Sequence, residues 1–224
     1  MPPKLEPTLT PLTPPYMLKT TKPKARSLHP YEPLPEPIIT DRLILRLFNE
    51  WDMGPYHTLA RQPEAMDSDG GYSVSFQFTK DRFLPLLPTN TSFFYFGIFL
   101  KGDSEGDLIG SGGIYDKAST ETGWPRLEFK FKKEYWGQGY ATEFTTAFLE
   151  FWWKLPRQKT MVIINESLVD PQNTSGYTPE LLYAWTKPEN LEAQKVLQKV
   201  GFEYLDGLNN GLLNWQLRNP SSFE

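Results

Sequence analysis

The sequence contains no cysteine and only two histidines among its 224 residues. Disulfide bonds, thiolate nucleophiles and thiolate metal sites are therefore excluded, whereas the redox compartment stays open. His29 and His57 lie in unrelated sequence surroundings, which favours surface or packing roles over metal coordination. We predict that the protein holds no metal.

Long apolar runs and an excess of positive charge are also lacking. No stretch approaches the roughly 20 apolar residues that span a bilayer, and the start of the chain lacks the apolar centre of a secretion signal. The 23 basic and 27 acidic residues give a net charge of -4, which offers no broad attraction for nucleic acid. We expect a cytoplasmic monomer or homodimer that binds neither a membrane nor nucleic acid.

Proline is abundant but unevenly distributed. Residues 1–37 hold eleven of the 21 prolines, which is typical of an extended segment that is mobile or lies over the body of the protein. The periodic apolar pattern begins at Ile38. We therefore predict a proline-rich segment at 1–37, one folded domain at 38–219 and a short tail at 220–224, because a chain of this length favours a single core.

The pattern within residues 38–219 contains both predicted strands and predicted helices, which indicates an α/β (α+β) domain. Predicted strands cover 40–46, 93–100, 108–115, 126–133, 160–165 and 181–186, with a terminal hairpin over 202–217. Helical spacing predicts helices at 141–155 and 191–200, and shorter ones at 50–62 and 78–88. Thr186 and Glu189 have the spacing of a capping box for the helix at 191–200.

Residues 131–142 are the most informative stretch, because a strand pattern runs through two glycines directly into a helix. The first turn of a helix has unpaired backbone N–H groups and a partial positive charge. Gly137 and Gly139 permit unusual torsions and close approach of a ligand to the backbone. We therefore predict that the amides from Gln138 to Thr142 bind a phosphate group.

Three segments together resemble the GNAT superfamily of acetyl-CoA-dependent N-acetyltransferases, within it the branch typified by ribosomal-protein alanine acetyltransferases. They are TDRLILR at 40–46, YWGQGYATE at 135–143, and Asn190 followed by VLQKVGF at 196–202. The resemblance runs from Ile38 to Asn219. It implies a single GNAT-like domain with a mixed, mostly antiparallel twisted sheet, flanking helices and a splayed central pair of strands.

The resemblance also implies that acetyl-CoA is the co-substrate and names its binding residues. The diphosphate would lie on the amides of the glycine turn, the pantetheine arm would pair with the backbone of the preceding strand, and an asparagine amide would bond that arm. In this sequence the cofactor-binding residues are Phe129, Phe131, Lys133, Gln138, Gly139, Tyr140, Ala141, Thr142 and Asn190.

The implied reaction is direct attack of a primary amine on the acetyl thioester through a tetrahedral intermediate. An alkylammonium has a pKa near 10, so it must lose a proton before it attacks. We take Glu128, on the strand before the glycine turn, as the candidate base; the other interpretation is a surface charge paired with Lys130. Glu143 is expected to support the helix rather than to catalyse.

Three positions depart from the family pattern. Many relatives carry a tyrosine where this chain has Leu197, this branch often has serine where it has Ala193, and a glycine is usual near Glu128. Protonation of the leaving thiolate would then fall to water or to a tyrosine such as Tyr140 or Tyr183. The departures also leave open a catalytically silent acyl-CoA sensor or interaction module.

The sequence leaves the acceptor undefined as a small amine, an amino acid or a protein N-terminus. Acceptor selection would fall to the segment after the first strand, the loop at 64–72, the terminal hairpin and the insertion at 166–179. Candidate contacts are the acids Asp67, Asp69 and Glu166, for a cationic amine, and the aromatics Tyr72, Tyr115 and Trp124, for an apolar pocket. The other interpretation is solvated surface for the acids and core packing for the aromatics. A dinucleotide-binding oxidoreductase is disfavoured because Thr142 stands where its third glycine is needed.

Overall fold

The structure is a computed structural model and describes residues 16–24, 34–63, 75–89, 94–102, 106–168, 175–206, 208 and 211–220. Its helices are α1 (Met53–Ala60), α2 (Phe76–Phe83), α3 (Tyr140–Lys154) and α4 (Leu191–Lys199). Its strands are β1 (Tyr16–Pro23), β2 (Ile38–Ile39), β3 (Leu43–Arg46), β4 (Phe94–Leu100), β5 (Leu108–Asp116), β6 (Arg126–Phe131), β7 (Arg157–Ile164), β8 (Leu181–Thr186), β9 (Glu203–Leu205) and β10 (Leu213–Arg218). The predicted α/β class is confirmed.

Eight of the strands form one mixed sheet in the order β2-β3-β4-β5-β6-β8-β10-β9. All neighbours that pair in this sheet are antiparallel except β6 and β8. The parallel pair β6–β8 has a single register pair, Arg126 with Tyr183. The two strands separate beyond that point, which is the splayed central pair that the resemblance implies.

Helices cover the two faces of the sheet. On one face, Phe144, Phe148 and Trp152 of α3 pack with Leu197 of α4 against the sheet, because they recur at helical spacing and form one apolar stripe. Gly112 of β5 makes this contact possible, since a Cβ there would lie 2.7 Å from the Phe144 ring. On the opposite face, side chains of β4 and β5 pack with side chains from the α1 and α2 region in a second, largely aromatic cluster, whose members are Phe48, Tyr56, Phe83, Leu86, Tyr95, Phe99 and Leu108.

Strand β1 lies within the proline-rich segment and forms a separate two-stranded sheet with β7. Eight consecutive register pairs join them, from Tyr16 with Ile164 to Pro23 with Arg157. Leu18 is buried against Val162 and Trp124 in a third apolar cluster. This part of the proline-rich segment is therefore paired with the domain; residues 1–15, 25–33 and 221–224 lie outside the described residues.

Two details of the sequence interpretation are wrong or incomplete. The capping box at Thr186 and Glu189 does not form, because α4 begins after Asn190, whose side-chain oxygen accepts the amide hydrogen of Ala193 at 3.0 Å. Thr186 instead ends β8, and its hydroxyl accepts a hydrogen bond from the Trp215 indole at 3.0 Å. The predicted strand at 160–165 is longer and belongs to the β1–β7 pair rather than to the main sheet.

Within the described ranges, no helix has both the length and the apolar character needed to cross a membrane. The same residues include no group of three or more histidine or acidic side chains placed to hold a metal ion.

Candidate functional site

A cleft with a volume of about 450 Å³ lies where β6 and β8 separate. Its closed end is at the register pair Arg126–Tyr183, and its wide end is at the glycine turn and the start of α3. Along β6 it is lined by every residue from Arg126 to Phe131, and from the other side by Ala184 to Lys187 and by α4. The predicted base and most of the predicted cofactor residues therefore line one cleft.

The glycine turn has the backbone geometry that the sequence predicts. Gly137 and Gly139 have φ angles of 73° and 84°, values that side-chain-bearing residues adopt only with strain. Among the described residues, no group accepts a hydrogen bond from the amides of Gln138, Gly139, Tyr140, Ala141 or Thr142; the first α3 bond runs from the Glu143 amide to the Gly139 carbonyl at 3.0 Å. The arrangement suits an anion.

The glycine turn is tied to the start of β3. Arg42 donates from Nε and its terminal nitrogens to the Glu143 carboxylate and to the Gln138 carbonyl. Glu143 also accepts from the Thr40 hydroxyl at 2.6 Å. Desolvation raises the pKa of Glu143, but the hydrogen bonds from Thr40 and Arg42 outweigh it, so the pKa lies below its ordinary value. Glu143 therefore ties α3 to the start of β3.

The backbone of β6 presents polar groups to the cleft. Lys132 donates its amide to the Ile109 carbonyl at 2.8 Å, and the register with β5 then directs the backbone groups of Glu128 and Lys130 toward β5. The groups of Phe129 and Phe131 consequently point toward the cleft, where β8 does not pair with them. The Phe131 carbonyl already accepts the Trp136 indole at 2.9 Å, which leaves the Phe131 amide and both Phe129 groups.

Lys133 does not provide free backbone groups for a ligand, contrary to the sequence interpretation. Its amide donates to the Gln62 side chain at 2.8 Å, and its carbonyl accepts the Trp136 amide at 3.0 Å. The reason is local: residues 133–135 form a 3-10 turn that ends the strand after Phe131.

Asn190 lines the other wall of the cleft. Its side-chain oxygen caps α4, so its side-chain amide nitrogen is the group that remains for a ligand.

Glu128 lies on the sheet face covered by α1 and α2, opposite to the side chains that pack against α3. Its side chain is 38% exposed, lines the cleft and has a carboxylate oxygen 3.8 Å from an Arg126 nitrogen. The carboxylate is thus paired with Arg126, whereas Lys130 lies over the Tyr56 ring. A partly exposed carboxylate in a cleft has the chemistry of a proton acceptor.

Tyr95 is a site residue that sequence reasoning missed. It lines the cleft, is 2% exposed, and its hydroxyl is 3.4 Å from the Ser111 hydroxyl. Tyr95 and Glu128 both face Gly113 of β5 in the sheet register, so the phenol reaches the carboxylate across a residue without a side chain. Burial raises the pKa of Tyr95 well above its ordinary value, and the charge and hydrogen bond of Glu128 add to the rise.

The two tyrosines proposed as proton donors contact other residues. Tyr183 is buried, and its hydroxyl donates to the Asn214 side chain at 2.6 Å, away from the cleft lining. Tyr140 begins α3 at the wide end of the cleft, and the Arg42 guanidinium lies 4.4 Å from the centre of the Tyr140 ring. Leu197 is a core residue with 1% exposure.

Three of the predicted acceptor residues lie in the described part of the chain, and none of these three lines the cleft. Trp124 is buried next to Leu18, and Tyr115 packs against Tyr95 with ring centroids 5.9 Å apart. Neither lines the cleft. Glu166 begins a short 3-10 turn after β7. Asp67, Asp69 and Tyr72 lie outside the described residues, as do 169–174 of the insertion.

Comparison with known proteins gives a consistent result. A sequence model described as an acetyltransferase (GNAT) domain matches residues 42–203. No curated protein matches the sequence significantly.

Solved structures resemble the whole fold. An acetyltransferase from Agrobacterium tumefaciens is 22% identical with a TM-score of 0.58, over 84% of this chain and 96% of that one. The ribosomal-protein-S5-alanine acetyltransferase of Vibrio fischeri is 17% identical with a TM-score of 0.58, over 84% and 98%. A spermidine N-acetyltransferase from Vibrio cholerae, solved with CoA and spermine, is 15% identical with a TM-score of 0.56, over 80% and 97%. At these identities the likeness establishes the fold.

Proposed function

The chain belongs to the GNAT acetyltransferase family, and from this membership we propose that it moves the acetyl group of acetyl-CoA to a primary amine. The observation that carries the proposal is the cleft between β6 and β8, which has unpaired amides at its wide end and the carboxylate of Glu128 nearer its closed end. An acyltransferase of this family needs both, an anion site for the cofactor and a group that accepts a proton from the amine.

The residues of the cleft fit coenzyme A. The amides from Gln138 to Thr142 take the diphosphate, since they have no acceptor among the described residues. The outward backbone groups of Phe129 and the Phe131 amide pair with the amide-bearing arm as a strand would. The side-chain nitrogen of Asn190 bonds the same arm from the α4 side. Phe129, Phe131, Asn190 and residues 139–142 all line the cleft.

At the closed end, Glu128 accepts a proton from the incoming ammonium, directly or through a water molecule. Bound acetyl-CoA supplies the activated acetyl group as a thioester, and orientation of the two reactants contributes a large share of the rate. The carboxylate points toward the α1 and α2 face, so the amine enters from that side. Tyr95 keeps its proton because burial raises its pKa, and it therefore serves as a hydrogen-bond donor rather than as a base.

The leaving thiolate takes its proton from water. Helix α4 carries no hydroxyl side chain, because its sequence is LEAQKVLQK. The Tyr183 hydroxyl is engaged by Asn214, and Tyr140 lies at the phosphate end. A thiol has a pKa near 8.5 in water, so its anion is a tolerable leaving group at neutral pH without a dedicated acid.

The proposed function is tested by mixing the protein with acetyl-CoA and one amine at a time and following thiol release. The amines are polyamines, amino acids and peptides with free N-termini. The proposal predicts turnover with at least one class of amine, and product analysis identifies the acetylated nitrogen. Coenzyme A binding without turnover on any amine would contradict it and would favour a sensor.

A further inference from the structure

Arg42 makes several contacts with the glycine turn and the start of α3. Arg42 stands just before β3, about one hundred residues from the turn in sequence, yet its guanidinium spans Glu143 and Gln138. Its Nε and one terminal nitrogen each lie 2.7 Å from the Glu143 carboxylate, and the other terminal nitrogen donates to the Gln138 carbonyl at 3.0 Å. The same guanidinium lies 4.4 Å from the centre of the Tyr140 ring.

The bond to Gln138 has a direct consequence for the turn. Gln138 and Gly139 share one peptide unit, which is planar and trans, so the carbonyl and the N–H of that unit point in opposite directions. Arg42 holds the carbonyl on its own side. The Gly139 N–H is therefore directed away from Arg42 and is held in a fixed direction.

The bonds to Glu143 have a second consequence, which concerns charge. Glu143 lies in the first turn of α3, within a few residues of the amides that face the anion site. An unpaired carboxylate there would repel a diphosphate, and the closely held Arg42 charge offsets it. Thr40 and the Arg42 amide complete the shell around the carboxylate at 2.6 and 3.0 Å.

We propose that Arg42 is a positioning residue for the diphosphate of coenzyme A: it fixes the Gln138–Gly139 peptide plane and neutralises Glu143, without being required for the chemistry at the amine. The inference rests on the proposed function, because it assumes that the anion on the turn is the cofactor diphosphate. Arg42 acts through the turn because its guanidinium bonds the Gln138 carbonyl and the Glu143 carboxylate.

The test compares Arg42→Met with Lys101→Met. Lys101 is a matched control, since it follows β4 beside the segment that holds Arg42 and its ammonium bonds the Thr40 carbonyl at 3.2 Å; its loss removes the same charge without removing a bond to Gln138 or Glu143. Calorimetry with coenzyme A measures affinity, thermal unfolding measures folding, and rates are taken with acetyl-CoA and with S-acetylpantetheine, which lacks the diphosphate.

We expect Arg42→Met to raise the Kd for coenzyme A about tenfold, the effect of losing a hydrogen-bonded charge, with kcat at saturating acetyl-CoA unchanged. The kcat/KM with S-acetylpantetheine should stay at the unsubstituted value, and Lys101→Met should bind as the unsubstituted protein does. Adding Glu143→Gln to Arg42→Met should recover part of the affinity for coenzyme A. The second substitution removes the carboxylate that repels the diphosphate, but the Gln138–Gly139 peptide is still not held by Arg42.

Equal affinity of the Arg42→Met and Lys101→Met proteins, both folded, would overturn the inference. An equal loss of kcat/KM with both acyl donors would also overturn it, since the effect would then not act through the diphosphate. Absence of coenzyme A binding by the unsubstituted protein is a different result and would refute the proposed function instead.

Discussion

The two ends of the cleft are built by different means. At the wide end, the proposed cofactor binding relies on backbone amides whose direction is set by two glycines and by ties from Arg42 and Glu143. At the closed end, the proposed chemistry relies on side chains, Glu128 and the buried Tyr95, that meet across Gly113. The difference teaches that the amides of the wide end come from one local sequence pattern, which the distant Arg42 steadies, whereas the side chains of the closed end are brought together by the fold from separate strands.

The largest expected effect comes from removing the proposed base at the closed end of the cleft and leaving the wide end unchanged. Glu128→Gln should lower kcat roughly 1000-fold, since general base catalysis contributes on that order, and should flatten the acid side of the pH–rate profile. The Kd for coenzyme A should not change, because the diphosphate end is intact. Stopped-flow thiol release and calorimetry on the same preparation check both parts; an unaltered pH profile would remove Glu128 from the mechanism.

The complementary change acts at the wide end. Gly139→Val should raise the Kd for coenzyme A about 100-fold, because a branched side chain is strained at φ 84° and shifts the amides from the anion. At saturating acetyl-CoA, kcat should be close to that of the unsubstituted protein.

Gly176→Val is the matched control for this change, since Gly176 has a φ of 69° and open space around it. Both substitutions carry a similar torsional cost, so equal losses of thermal stability are expected. Unchanged cofactor affinity in the Gly139→Val protein would show that the turn is not the binding site.

A smaller effect tests whether the closed end works as a unit. Tyr95→Phe should lower kcat about tenfold, the loss of roughly one hydrogen bond to a charged group, and should move the acid side of the pH–rate profile to higher pH. The groups around Glu128 that also bear on this profile are Arg126, Lys130 and Tyr56. Phenylalanine keeps the packing, so thermal unfolding serves as the control; a profile that does not move would leave Tyr95 as a core residue.

The smallest effect concerns stability at the wide end. The pKa of Glu143 is below its ordinary value in the folded protein, so its contribution to the free energy of unfolding is complete above the ordinary carboxyl pKa and is lost as the pH falls through the lower, folded value. Glu143→Gln should therefore cost roughly 1 kcal/mol at neutral pH and progressively less below about pH 4. Urea unfolding at several pH values measures this, and a cost that does not vary with pH would count against the Arg42–Glu143 pairing.

Sequence reasoning was most successful where structure is local. The bounds of β8 and the hairpin of β4 and β5 follow from short apolar runs between turn residues, and α3 follows from its aromatic spacing. The assignment of the helix cap to Thr186 failed because Thr186 and Asn190, four positions apart, are both good capping residues. Thr186 ends β8, so α4 begins only after Asn190.

Non-local pairing explains what could not be predicted. Strand β1 has its partner in β7, about 140 residues later, and no turn sequence links them. Tyr95 is hidden within the aromatic run of β4, where alternation alone does not tell which rings are core and which reach a cleft. Its role depends on the register of three strands, in particular on Gly113 lying between Tyr95 and Glu128.

The central claim is that the amides of the glycine turn receive the diphosphate of coenzyme A. The most direct test is a titration of the ¹⁵N-labelled protein with coenzyme A, followed by NMR of the backbone amides. The account predicts that the amide protons of Gly139, Tyr140, Ala141 and Thr142 move downfield, and that pantetheine alone leaves them in place. Saturation of the protein with coenzyme A while these four resonances stay unmoved would contradict it.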